Sequence, residues 1–381
     1  MKYKIAIVSL NGYFNYGNRL QIYALKQTIE KFYYDVDTII INSIKNSDSQ
    51  LNLTRKIMKH LRKTKIDFIK TVFKYLFNNI KIINYNLFYK NLIIQREKLL
   101  IEFSNKYLSE KFYTANDLNY LNSLYKYFVA GSDQIWNPFF SCSKEIYFLR
   151  FVDFHKRIAY APSFGITEIP EEYKELYKLY LSEIPYLSVR ELSGAKIIKD
   201  LTGRDVPVLI DPTMLLTKED WLLISKPHKN KPKNKYLIAY FLGKITKEGK
   251  KIIRFLSKKY NLRIVYISNK KYRKFFIVSP QEFIDYINNA SIVITDSYHG
   301  TVFSILFNKP FIVVNRVKKH YNMYSRIETL FAKFGFKSRE IGCIDLNSNI
   351  FNMNFSYANK ILEEERKKSI EYLKKALLNN S

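Results

Sequence analysis

Short apolar, β-branched runs recur along most of the chain, bounded by turn residues and separated by stretches of helical period. Lys4–Ser9 is the first run and Asp37–Asn42 the second; between them Ile22, Leu25, Ile29 and Phe32 fall at helical spacing. The chain therefore opens as strand, glycine-containing loop, helix and strand. Further runs lie at Tyr127–Gly131, Arg157–Ala161, Tyr186–Val189, Val206–Ile210, Tyr236–Tyr240, Arg263–Ile267, Ser291–Thr295 and Phe311–Val314. This is the pattern of parallel βα units, so the fold class is α/β. Two prolines and a lysine run interrupt it at Lys226–Lys235, which predicts a linker between domains of roughly residues 1–225 and 236–345. The last segment, residues 354–381, reads as a charged helix with Ile370, Leu373 and Leu377 on one face, free to pack back across either domain.

Apolar residues make up 47% of the 381 and aromatics 16%, far more buriable surface than a disordered chain carries. Lys and Arg number 63 against 34 Asp and Glu, a formal net charge of +29. A coding bias toward Lys, Ile, Asn, Tyr and Phe accounts for part of that surplus; a preference for anionic ligands or surfaces is what remains. The densest basic stretch is residues 51–100, with twelve cations against Asp67 and Glu97, interleaved with Leu61, Phe68, Ile69, Val72, Phe73, Leu76 and Phe77. Residues 51–110 read as a helical insertion whose apolar face packs on the first domain, as a segment in peripheral contact with an anionic membrane, or as both. Two cysteines, Cys142 and Cys343, make no disulfide framework. No stretch is long and apolar enough to span a membrane, and the first apolar run is too short for a secretion signal, so a cytoplasmic location is expected. No cluster of histidines and carboxylates has metal-ligand spacing, so neither a metal nor a cofactor is expected.

In open α/β sheets, ligands bind beyond the carboxyl ends of the strands. Four such ends are loaded with polar residues. After the first strand, Asn15, Gly17, Asn18 and Gln21 lead into a helix whose free N–H groups favour an anion or a sugar edge. After Tyr127–Ala130 come Ser132, Asp133 and Gln134 with Trp136, a set that offers hydrogen bonds and a stacking face to a sugar, or else a helix cap and a core indole. Arg190 follows Val189 and can hold a carboxylate or phosphate bidentately; pairing with Glu191 or Asp211 in a structural salt bridge is its other reading. Ser297 and His299 follow Ser291–Thr295, and His299 is the one histidine of five in a glycine-containing turn between strand and helix, where an imidazole serves as acid, base or anion ligand.

The segments Asn15–Gln21, Gly131–Asn137, Ser188–Glu191 and Asp296–Thr301, with Ala159–Gly165 and Asp211–Thr213 between them, occur in an order and spacing that resembles the polysaccharide pyruvyl transferase family. The resemblance covers most of residues 1–340, leaving out the basic stretch and the last helix. It implies two Rossmann-like domains facing each other across a cleft, a GT-B-like plan. It also implies transfer of the enolpyruvyl carbons of phosphoenolpyruvate to a sugar of a cell-surface polysaccharide or its lipid-linked precursor, with a pyruvate ketal and phosphate as products. Arg190 and His299 match the positions expected to handle phosphoenolpyruvate. Some members carry an arginine two residues before the histidine; Ser297 stands there in this chain, and Arg316, Lys318, Lys319 or Arg326 is the expected substitute.

That chemistry needs a proton donor for the methylene carbon, cations for phosphate and carboxylate, and a base for the attacking hydroxyl. His299 is assigned to acid or phosphate contact, Arg190 to the anion and Asp133 to the acceptor hydroxyl. A GT-B-like glycosyltransferase using a nucleotide sugar shares the architecture. A non-catalytic basic protein at a membrane surface or on nucleic acid is the remaining alternative, disfavoured because the polar groups concentrate at strand ends; no nucleic-acid partner is expected.

Overall fold

The computed structural model describes residues 3–10, 12–42, 89–140, 145–316, 324–345 and 348–378. The basic residues 51–88, Lys318, Lys319 and Cys142 lie outside the described residues.

The first sheet contains β1 (Lys4–Val8), β2 (Asp35–Asn42), β3 (Glu110–Thr114), β4 (Tyr127–Ala130) and β5 (Arg157–Ala159), all parallel in the order β3-β2-β1-β4-β5. The central strands are buried on both faces, which is why Ile5–Val8 and Tyr127–Ala130 are unbroken apolar runs. Around it lie α1 (Tyr16–Glu30), α2 (residues 89–107), α3 (Leu118–Leu124), α4 (Lys174–Ser182), α5 (Leu192–Thr202) and α6 (Lys218–Ile224). The second sheet has β6 (Tyr236–Tyr240), β7 (Arg263–Ile267), β8 (Ile292–Thr295) and β9 (Phe311–Val313), again parallel, in the order β7-β6-β8-β9. Its helices are α7 (Lys247–Lys259), α8 (Arg273–Phe276), α9 (Pro280–Asn289), α10 (Tyr298–Leu306) and α11 (Ser325–Phe334), followed by α12 (Ser356–Leu378). Each domain is thus an open, Rossmann-like α/β unit.

Three features depart from the sequence reading. The strand β3 lies where the basic helical insertion was expected to end; it is an edge strand with mostly exposed side chains, so it lacks an apolar signature. Tyr186–Val189 and Val206–Ile210 extend the first sheet only through single bridges, Ile158 to Tyr186 and Val189 to Val208. Pro185 and Pro207 cannot donate to a ladder, and the Ser188 hydroxyl takes the Ala161 N–H (3.0 Å) in place of a strand partner.

Residues 226–235 contain no helix or strand and pack on α9. Lys231 donates to both carboxylate oxygens of Asp285 (2.9 and 2.8 Å), and His228 Nδ1 lies 2.8 Å from the Tyr286 hydroxyl. The domains meet through an aromatic joint in which Tyr16 of α1 stacks on Phe283 of α9 (centroids 4.8 Å apart) and Trp221 of α6 sets its edge on Phe303 of α10. Helix α12 buries Leu373 and Leu377, as the spacing predicts, and returns to the first domain. There the Tyr34 and Tyr372 hydroxyls donate to the Leu377 and Ala159 carbonyls, both at 3.0 Å. Among the described residues no helix is long and apolar enough to cross a membrane.

Candidate active site

The carboxyl ends of the two sheets enclose a cavity of about 660 Å³. The first domain lines it with Leu10, Phe14, Asn15 and Asn18 after β1, Arg96 of α2, and Asp133, Gln134, Phe139 and Phe140 after β4. The second contributes Phe241 and Leu242 after β6, Ser268 after β7, Ser297, Tyr298 and His299 after β8, Arg316 after β9, and Arg326 of α11.

Two helix N-termini converge here. Asn15 caps α1, its Oδ1 accepting from the Gly17 N–H (3.0 Å), and Ser297 caps α10, its Oγ accepting from Gly300 (3.3 Å). They approach so closely that a Cβ on Gly17 would lie 2.1 Å from His299 Nδ1, so only glycine fits at this crossing. Both N-termini carry partial positive charge.

His299 is 4% exposed, and its Nε2 lies 3.5 Å from Asp211 Oδ2 without completing a hydrogen bond. Asp211 is fully buried after the bridge at Val208, and its Oδ1 accepts from the Thr213 N–H (3.0 Å) and hydroxyl (2.7 Å). Burial pushes its carboxyl up, but His299, Arg190 and Thr213 outweigh that and hold it far below the usual carboxylate range.

Asp133 has φ of +77°, a left-handed conformation that asparagine and aspartate tolerate better than most residues. Its Oδ1 accepts from the Gln134 N–H (2.9 Å) and its Oδ2 from Asn18 Nδ2 (3.3 Å), which fixes the carboxylate at the cavity wall. The segment forms a turn and not a helix, so neither Ser132 nor Asp133 is a helix cap.

Arg190 does not line the cavity. It is 3% exposed beneath the Tyr298 ring (4.4 Å), donates through Nη1 to Asp211 (2.5 Å) and Ser132 (3.3 Å), and sets Nη2 3.8 Å from Asp133. The structural salt bridge is the arrangement present, and it ties Asp211, Ser132, Asp133 and Tyr298 into one unit. Arg316 is likewise occupied, its Nε donating to Asp296 Oδ2 (3.0 Å).

Arg326 differs from both. It is 8% exposed, its guanidinium lies 5.7 Å from the Tyr298 ring centroid, its Nε has no partner, and among the described residues it forms no ion pair. Burial, then the nearby Arg190, pulls its pKa down to about 10, which still leaves it charged at neutral pH.

Three of the expected ligand residues, Ser132, Trp136 and Gln21, are buried and do not line the cavity. Trp136 is fully buried, stacked on Phe148 (5.4 Å) with Nε1 donating to the Tyr147 carbonyl (3.0 Å), so it offers no face to a sugar. Gln21 is buried against Ser9 (2.9 Å), holding the loop after β1. Gln134 does reach the cavity, where its Oε1 accepts from Asn137 (3.1 Å).

The sequence profile of the polysaccharide pyruvyl transferase family matches residues 15–316, most of the chain. The chain belongs to that family. Membership makes it a transferase of polysaccharide biosynthesis with a saccharide acceptor. Solved structures similar to it include a putative UDP-N-acetylglucosamine 2-epimerase from Listeria monocytogenes (TM-score 0.48, 10% identity, 95% of each chain covered). Others are the UDP-GlcNAc 2-epimerase from Neisseria meningitidis bound to UDP-GlcNAc (0.48, 10%, 98% of this chain and 100% of that one) and the ADP-heptose lps heptosyltransferase II from E. coli (0.35, 10%, 95% and 99%). No curated protein sequence matches significantly. Arg96, Phe139, Phe241 and Tyr298, within the pyruvyl transferase family's span, and Phe14 just before it are cavity residues that sequence reasoning passed over. Tyr298 lies inside the segment Asp296–Thr301 that carries the resemblance; Arg96 is one of twelve cations in residues 51–100 with nothing in its neighbours to single it out.

Proposed function

We propose that the chain transfers the enolpyruvyl carbons of phosphoenolpyruvate to two hydroxyls of a surface polysaccharide or its lipid-linked precursor, closing a pyruvate ketal and releasing phosphate. The observation that carries this reading is Arg326, a buried guanidinium that forms no ion pair among the described residues, in the cavity that His299 also lines from the N-terminus of α10. Leaving such a charge unpaired is costly, so its place is best explained by an anionic substrate that completes it. It takes over the part expected of Arg190 and stands in for the arginine that Ser297 replaces.

In this reading the donor's phosphate rests on Arg326 and the first turn of α10. A proton delivered from His299 to the methylene carbon makes C2 an oxocarbenium-like electrophile. An acceptor hydroxyl adds to C2 and gives its proton to Asp133; the C2–O bond to phosphate breaks, and phosphate leaves with the bonding pair. A second hydroxyl then adds to C2 and gives its proton to the released phosphate, closing the ketal, while the donor's methylene has become a methyl. Arg190 acts as a positioning residue through Asp211 and Tyr298. The basic surplus of residues 51–100 supports work at the cytoplasmic face of an anionic membrane.

Calorimetric titration of phosphoenolpyruvate tests the donor site. Arg326→Gln should weaken binding by at least tenfold, the scale of a lost charge-assisted hydrogen bond in a buried site. Unchanged affinity would remove Arg326 from the donor site.

A further inference from the structure

The second sheet presents its strand ends in a row, and the cationic groups of the cavity stand in two places along it. His299 and Ser297 follow β8, and Arg316 follows the adjacent β9. Ser268 follows β7 on the opposite side of β6, and Arg96 of α2 reaches the cavity on that side, with its guanidinium over the rings of Tyr16 (4.6 Å) and Phe276 (5.1 Å).

Arg96 is 8% exposed, donates through Nη2 to the Phe14 carbonyl (3.1 Å), leaves Nε without a partner and forms no ion pair among the described residues. The buried hydroxyls of Ser268 and Tyr16 lie beside it, the Tyr16 hydroxyl close to both Ser268 and Arg96, yet neither hydroxyl completes a hydrogen bond among the described residues. Ser268 is held at φ +64°, a strained conformation of the kind that clusters at ligand sites. The Arg96 guanidinium and the Ser268 hydroxyl line the cavity with hydrogen-bonding capacity to spare, backed by the Tyr16 hydroxyl from a third element, and together they form a built receptor for an oxyanion.

The donor does not fill both places. Neighbouring parallel strands are about 4.8 Å apart, so the ends of β7 and β8 are separated by about 10 Å. The phosphate and carboxylate of phosphoenolpyruvate are attached to the same carbon and sit together beside His299 and Arg326. Between the two cationic places lie Phe241 and Leu242 after β6, an apolar floor about one sugar ring across.

We infer that Arg96, Ser268 and Tyr16 form a second anion subsite that holds a phosphate on the acceptor, one sugar residue from the hydroxyls that become the ketal. This rests on the proposed donor reading only in assigning the other subsite to phosphoenolpyruvate. The acceptor is then a glycosyl phosphate, and Arg96 selects it over the free sugar.

The test uses the full chain titrated with galactose 1-phosphate, glucose 1-phosphate and mannose 1-phosphate, each against its free sugar and against glucuronate, and separately with phosphoenolpyruvate. At least one sugar phosphate should bind tenfold or more tightly than its free sugar. Arg96→Gln should erase that advantage and leave phosphoenolpyruvate within about twofold, while Arg326→Gln does the reverse. Ser268→Ala, a smaller change, should weaken the sugar phosphate several-fold and serves if Arg96→Gln does not fold. Equal loss of phosphoenolpyruvate in Arg96→Gln would make Arg96 a donor contact and overturn the inference. So would sugar phosphates no tighter than free sugars, or glucuronate tighter than any of them. If wild type ignores phosphoenolpyruvate but Arg96→Gln still loses the sugar phosphate, the donor reading fails and the subsite stands.

Discussion

Replacing His299 with alanine is expected to slow phosphate release from phosphoenolpyruvate in the presence of acceptor by about 10²- to 10⁴-fold, the range for removal of a general acid. Donor affinity should fall much less, because Arg326 remains to hold the anion. The imidazole is confined by Gly17 on one side and Asp211 on the other, so it enters the cavity in a fixed orientation and not as a mobile side chain. His299→Asn, closer in volume, should lose activity to a similar degree with less effect on folding. A rate of phosphate release unchanged in both variants would remove His299 from the chemistry.

The largest stability effect is expected at Asp211. Its carboxylate is the counterion of a buried guanidinium, and Asp211→Ala leaves Arg190 beneath Tyr298 with Asp133, 3.8 Å away, as its remaining ion-pair partner among the described residues. Breaking a buried pair from one side costs about 3–5 kcal/mol, to be read from denaturant unfolding. Asp211→Ala combined with Arg190→Ala should cost less than the sum of the two, since the second change removes the orphaned charge. The pH dependence has a definite sign. A carboxyl held below its unfolded value contributes stability that is complete above the ordinary aspartate range and is lost as pH falls through the folded value. Wild type should therefore lose this contribution progressively as pH falls below the ordinary aspartate range, and Asp211→Asn should flatten that part of the acid limb.

The strands that carry the site were legible because buried parallel strands are continuous apolar runs, and their carboxyl ends mark where polar residues gather. That logic reached Asn15, Gly17, Asn18, Asp133, Gln134, Ser297 and His299, all at or beside the cavity, whereas Arg326 was one of four cations offered only through the family resemblance. The same logic could not tell a ligand from a support. Arg190 and Glu191 occupy a strand end like the others, yet both turn inward: Arg190 onto Asp211, and Glu191 to accept from the Ser163 hydroxyl and the Phe164 and Gly165 N–H groups. Trp136 reads equally as a stacking face and as a core indole, because a turn beside a sugar site and a turn beside a core use the same residue; the structure gives the core. Edge strand β3 escaped because its exposed side chains erase the apolar pattern. Arg96 escaped because a helix brings it from far along the chain to the opposite domain's strand ends, a juxtaposition that exists only after folding.

The central claim, that this cavity is built for phosphoenolpyruvate, is tested most directly by thermal unfolding of wild type and Arg326→Gln with phosphoenolpyruvate or UDP-N-acetylglucosamine. A ligand that binds only the folded chain stabilises it by about 2.7 kcal/mol at a hundred times its dissociation constant. Phosphoenolpyruvate should raise the midpoint of wild type, the nucleotide sugar should not, and Arg326→Gln should lose the shift. Stabilisation by the nucleotide sugar with none from phosphoenolpyruvate would contradict that claim.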